Sequence, residues 1–170
     1  MMRGACRSTL TLMLVCCACN GSFRSADCGV GVVLIGDFLS CESPSEISKK
    51  LGGKPWKVIS DSRLGPGDPR PEFSEYTVLI ENYEDLGVAG ELQLQFLNER
   101  LMEADFFPVD SGLYVRLLGE SLGTELREGV EIMPSANKVV WTRQRPDKLG
   151  VGFADKRLRD EASEWIRKYA

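Results

Sequence analysis

Hydrophobic residues along this chain recur with two different periods, and the change between them outlines the fold. From Glu91 to Asn98, Leu92, Leu94 and Phe96 alternate with Glu91, Gln93 and Gln95. From Leu101 to Phe107, Met102, Ala104 and Phe106 alternate with Glu103 and Asp105. Alternation of this kind puts one face of a strand in a core and the other in water. Asn98-Glu99-Arg100 between them is long enough only for a hairpin turn. Tyr76–Asn82 is rich in β-formers and runs into the turn-prone Asp85-Leu86-Gly87, so the three strands make an antiparallel meander with one apolar face.

A helical period governs the C-terminus. Leu158, Ala162, Trp165, Ile166 and Tyr169 fall on one face behind a cap at Asp155, with Lys156, Arg157, Asp160, Glu161, Glu164 and Arg167 turned outward. A shorter helix is predicted over 44–51. Ser43 and Glu46 form a capping box, Pro44 takes the first helical position, Ile47 and Leu51 share a face, and Gly52 and Pro55 end it. The apolar face of the meander needs a cover, and this helix is the nearest candidate. Leu113–Leu122 fits either period: Leu113, Leu117 and Ser121 suit a helix, while Leu113, Val115 and Leu117 suit a strand; the helix is preferred.

Weaker signals fill the gaps. Val30–Leu39, broken by Gly31 and Gly36-Asp37, is a strand entering the domain, and Trp56–Ser60 is a short strand. Residues 61–72 hold three prolines and two glycines and form a loop. They lack the Gly-Lys-Ser/Thr ending of a phosphate-binding loop. Pro108–Gly112 is a break, the point at which the domain would divide if it does. Arg127–Met133 is a weak strand, and Lys138–Thr142 and Gly150–Phe153 flank a second hairpin at Arg143–Leu149. The pattern predicts an α+β fold: an antiparallel β-meander covered by a short N-terminal helix and an amphipathic C-terminal helix, in one domain over residues 30–170.

The first residues carry an address. Residues 1–7 contain Arg3 and Arg7 and no acid, and Thr9–Ala18 is apolar or cysteine apart from Thr9 and Thr11. A basic start before a short apolar run is the export-signal pattern. A membrane-spanning helix needs ~20 apolar residues, and here the run meets Asn20-Gly21-Ser22 and Arg24. Its end resembles the lipobox of bacterial lipoproteins: Ala18-Cys19 supplies the small residue and the cysteine. Cys16 stands where leucine is usual and Cys17 where a small residue is usual. Cys17, preceded by Leu14-Val15-Cys16, is the competing acceptor. The resemblance implies a signal peptide over 1–18, lipid on Cys19, and a small polar tether over 19–29. It also implies an outer-membrane protein facing the periplasm, since Asn20 is not the aspartate that retains such proteins at the inner membrane. Several acyl chains hold a protein firmly where one is marginal. Ordinary cleavage near Ala18 or Ala26, releasing a soluble protein, is the other reading.

Of six cysteines, Cys6, Cys16 and Cys17 leave with the signal and Cys19 takes the lipid. Cys28 and Cys41 remain, an even number for an oxidising compartment. Either they are bridged, closing a short loop worth on the order of 3 kcal/mol, or they are two separately buried thiols. A turn at Gly36-Asp37 would bring them together.

Composition narrows the chemistry. At 170 residues, 43% hydrophobic and 27% charged, the chain suits one globular domain. Removing residues 1–18 takes two arginines and no acid, moving the net charge from −4 to −6. Nucleic acid is an improbable partner for such a surface. With no histidine, Ser-His and Cys-His nucleophile pairs are excluded. Structural zinc needs more ligands than Cys28 and Cys41 offer. Glu161 with Glu164, and Glu81 with Glu84, are candidate acid–base pairs, but they fall on faces that read as solvated. Trp56, Trp141 and Trp165 fall where core residues are expected rather than partner anchors. No catalytic residue, metal or cofactor is expected.

Residues 43–108 resemble the SmpA/OmlA-type small lipoproteins of the outer-membrane β-barrel assembly machinery. The matching residues are Ser43 through Leu51-Gly52, with Pro55 one residue late, and the turn Phe96-Leu97-Asn98-Glu99-Arg100-Leu101. The resemblance implies a non-enzymatic envelope lipoprotein that binds another envelope protein in outer-membrane assembly or maintenance. A secreted inhibitor or ligand-binding module is the alternative.

Overall fold

The computed structural model describes residues 26–170. The signal peptide, both lipid acceptors Cys19 and Cys17, and the tether up to residue 25 lie outside the described residues. In chain order the elements are β1 (Val33–Ile35), β2 (Phe38–Leu39), α1 (Pro44–Lys50), β3 (Lys57–Arg63), β4 (Ser74–Asp85), β5 (Val88–Leu97), β6 (Arg100–Pro108), α2 (Ser111–Leu122), β7 (Ile132–Ser135), β8 (Lys138–Gln144), β9 (Leu149–Asp155) and α3 (Lys156–Tyr169). The fold is α+β. A seven-stranded sheet in the order β3-β4-β5-β6-β9-β8-β7 is antiparallel throughout, and β1 and β2 pair separately.

Local sequence explains most boundaries. Leu86-Gly87 and Asn98-Glu99 turn the two long hairpins with positive φ at both central residues, the two-residue geometry that follows the twist of the strands. Ser43 and Glu46 close the capping box of α1. Asp110 caps α2, Gly123 ends it in the left-handed conformation (φ 66°), and Asp155 caps α3. The ambiguous segment is therefore a helix. Two strand boundaries differ from the signals. β3 runs three residues into the expected loop 61–72, and β7 begins only at Ile132, so 127–131 are not strand.

The cover of the sheet differs from expectation. On one face, Ile80, Leu92, Leu94, Phe96, Leu101, Ala104, Phe106, Val140 and Phe153 form the main core with Tyr114 and Leu118 of α2 and Leu34, Ile35 and Phe38 of the small hairpin. The short helix α1 gives this core only Ile47 as a buried residue, so it is one peg rather than the cover. The C-terminal helix is also not on this face. Its Leu158, Ala162 and Trp165 pack with Phe73, Leu97 and Met102. A bulge is the cause: Gln95 pairs with Glu103 but Phe96 pairs with Leu101, so Met102 has no partner in the ladder. An extra residue in one strand flips the alternation beyond it, which sends Leu101 to the main core and Met102 to the other face. Two outward–inward assignments on α3 are corrected with it. Ile166 is 48% exposed, and Glu161, expected in water, is 5% exposed.

Glu161 is buried because the incoming chain lies on it. Its carboxylate pairs with Arg100 at 2.6 Å and accepts the Ala26 N–H at 2.7 Å. Arg100 also donates to Ala26 O, and Arg157 donates to Asp27 O and Val30 O. Residues 26–30 are thus bound to α3 and β6. Cys28 and Cys41 are bridged, with Cα atoms 5.8 Å apart. The β1–β2 hairpin turning at Gly36-Asp37 brings them together. Buried Ser40 locks that hairpin, accepting from Val32 N and donating to the capping carboxylate of Asp155.

Candidate functional site

α3 crosses the sheet only at one end, beside Phe73, Leu97 and Met102. Farther along the same face, β6, β9 and β8 assemble a polar cluster. The alternation of β6 puts Glu103, Asp105 and Phe107 here, and that of β8 puts Trp141 and Arg143 here. Between them β9 contributes Gly150 and Gly152, opposite Arg143 and Trp141. A glycine inside a strand marks a close approach, and both glycines do. A Cβ on Gly152 would overlap the Trp141 ring and lie 2.8 Å from Asp105 Oδ1; one on Gly150 would lie 2.6 Å from the Phe107 ring. The strand is a bare floor on which the two aromatic rings rest. Gly152→Val is therefore expected to destabilise the protein by about 1–3 kcal/mol, read as a lower midpoint in urea with an unchanged slope.

Across that floor Arg143 reaches from β8 to β6. Its Nη1 lies 2.8 Å from Glu103 Oε1 and 2.7 Å from Asp105 Oδ2. Both carboxylates are buried, at 8% and 6% exposure, and Asp105 Oδ1 has no hydrogen-bond partner. Burial disfavours the charged form. It pushes both groups well above the ordinary carboxylate range; for Glu103 the neighbouring Asp105 charge adds to this, while Arg143 and Arg159 oppose it. Folded-state values raised in this way mean that the native protein holds protons the unfolded chain has released. The pair's contribution to stability is full in acid and is lost as the pH rises toward neutrality.

Cations and rings frame the pair. Arg159 of α3 lies 4.7 Å over Trp141 and 3.0 Å from Glu131. Arg145 stacks 3.6 Å from the centre of Phe107, and Lys148 pairs with Glu91 at 2.8 Å. Beyond Phe107 a cleft of about 350 Å³ continues along Glu81, Asn82, Gly90 and Val109. A larger cleft of about 610 Å³ runs along α2 and Gly123–Leu126, with only Arg116, Glu120 and Glu125 as charged lining. Among the described residues no group of three His, Cys, Asp or Glu side chains is placed to hold a metal, and no helix is long and apolar enough to cross a membrane.

The residues singled out in the sequence scatter. Glu81, Glu84 and Glu164 are exposed, and Glu161 stands apart from Glu164 in its pair with Arg100. Trp165 is core, Trp56 packs edge-on against Phe96, and Trp141 belongs to neither apolar cluster. Glu103, Asp105, Arg143 and Arg145 were not anticipated as a site, because the first two lie on the polar side of an alternating strand. Gly150-Val151-Gly152 inside an apolar strand was the available signal.

The fold and the cluster define an antiparallel α+β domain with helices on both faces and a charged, aromatic-lined trough beside the C-terminal helix. No family model matches the chain, and neither a curated protein nor a solved structure matches it.

Proposed function

We propose that the protein is an exported lipoprotein, anchored through Cys19, whose domain binds another protein of the cell envelope without catalysing a reaction. The observation that carries the location is the Cys28–Cys41 bridge: disulfides persist outside the reducing cytosol, and this one begins nine residues after the acceptor cysteine. Lipidation of Cys19 holds the domain close to the bilayer. The stretch between Cys19 and the bound Ala26 spans at most about 25 Å when fully extended.

The binding surface is the trough. Tryptophan, aromatic rings and arginine are the side chains that anchor protein interfaces. Here Trp141, Arg143 and Arg145 gather over the buried Phe107 ring, on a sheet face that α3 reaches only through Arg159 over Trp141. The resemblance of residues 43–108 to SmpA/OmlA-type lipoproteins favours outer-membrane assembly or maintenance as the setting.

Two measurements test this. Metabolic labelling with a palmitate analogue should mark the parent, and Cys19→Ala should abolish labelling and release a folded protein from the membrane. Label that moves to Cys17 would correct the residue, and no label on the parent would remove the anchor. For binding, a photo-crosslinker placed at Gln93, which β5 sets beside Asp105 on the trough face, should capture one envelope protein, while the same group at Glu128 should not. Equal capture at both positions would remove the trough as the interface.

A further inference from the structure

Glu103 and Asp105 are two residues apart on one side of β6, and one nitrogen of Arg143 serves both. Among the described residues Arg143 is the one cation within 4.0 Å of either carboxylate. The pair is thus one cation short. No neighbouring element brings a second cation into contact with the pair; Arg159 and Arg145 act on it only from a distance. β5 opposes the pair with neutral Gln93 and Gln95, and β9 with Gly152 and Ala154. Arg159 of α3 is engaged by Glu131 and the Trp141 ring, and Arg145 lies on Phe107 with Glu91 at 3.8 Å. Lys148 is taken by Glu91.

The position of this triad is mechanical. β9 joins the rest of the sheet through one seam, pairing Ala154, Phe153, Gly152 and Val151 with Glu103 through Phe106. β8 and the four-residue β7 hang on β9 in turn. Arg143 spans the seam from outside, tying β8 directly to β6 over the glycine floor. Strength at that tie depends on the charge the two carboxyls carry.

We propose that Glu103, Asp105 and Arg143 form a proton-operated latch on the β8–β9 hairpin. A proton taken from solvent by the carboxyl pair leaves one anion matched to one guanidinium and holds β8 against β6. Return of that proton to solvent leaves two buried anions on one cation and loosens the hairpin that carries Trp141, Arg143 and Arg145. The raised proton affinity of both carboxyls, caused first by burial, has the sign this requires.

Hydrogen exchange on the mature chain tests the latch. Protection at the amides of 142–144 and 149–151, corrected for intrinsic rates, should fall at least about tenfold between about pH 5 and about pH 8. Amides of 76–80 and 92–94, in the far half of the sheet, should change much less. Glu103→Gln leaves one carboxylate to one guanidinium and should remove most of the dependence. Asp105→Asn provides the same test should the first variant fold poorly. Carbon-detected titration of the parent supplies a readout that no variant affects: at least one of the two carboxyls should titrate close to neutrality. Equal protection at the two pH values, an unchanged dependence in both variants, or two carboxyls titrating below about pH 5 would each overturn the latch.

Discussion

Replacing Trp165 by alanine is expected to lower the stability of the protein by about 3–5 kcal/mol, in one unfolding transition. The side chain is 3% exposed, stacks on Phe73 with ring centres 4.3 Å apart, and donates its indole N–H to Pro71 O at 3.1 Å. Arg70 also lies over the ring, 5.7 Å from its centre. Truncation removes one of the largest members of a small cluster, where few neighbours can collapse into the space, and leaves the Pro71 carbonyl without that donor. A domain of this size is stable by only ~5–15 kcal/mol, so the loss is a large share of the total. A single transition is expected because the seam between β6 and β9 makes residues before and after the break at 108–112 parts of one sheet. Urea unfolding followed by far-UV circular dichroism and by the fluorescence of Trp56 and Trp141 should give coincident curves. Two transitions, with only one displaced, would show instead that 109–170 unfolds as a separate unit.

The same helix shows what the sequence could and could not convey. Its period put Leu158, Ala162, Trp165, Ile166 and Tyr169 on one stripe, of which Leu158, Ala162 and Trp165 are buried and Ile166 is exposed, because a helix facing a core must carry a stripe whatever the core is. Which core it faces depends on the bulge at Gln95–Phe96, and nothing in Gln95-Phe96-Leu97 distinguishes a bulged strand from a regular one. Glu161 was misplaced for a related reason: burial came from Ala26 and Arg100, distant in sequence, rather than from the pattern of α3 itself. Hairpins, caps and the turn at Gly36-Asp37 were legible because each is decided by neighbouring residues. The trough was not. Glu103 and Asp105 alternate like solvated residues, and only the glycines of β9 hinted that side chains from elsewhere close over them.

The second large effect is expected at the disulfide. Replacing Cys28 and Cys41 together by serine should cost about 3 kcal/mol, since the bridge closes a loop of 13 residues and so restricts the unfolded chain. The native side of the balance supports a value of this size. Cys41 packs against the cluster of Trp165 and Met102, and its N–H bonds Leu101 O at 2.8 Å, so the bridge is moored to β6 rather than to a free loop. Adding reductant should lower the urea midpoint of the parent to that of the serine variant and leave the variant unmoved, which separates loss of the bridge from any effect of the substitutions. The slope of the transition bears on mechanism. A larger slope in the variant would mean that its unfolded chain exposes more surface once the tie is gone, as expected if the bridge acts on the unfolded state. A variant that melts with the parent would show that the bonds from Arg100, Glu161 and Arg157 to residues 26–30 hold the lead-in segment unaided. In that case the bridge would mark an oxidising compartment without adding measurably to stability.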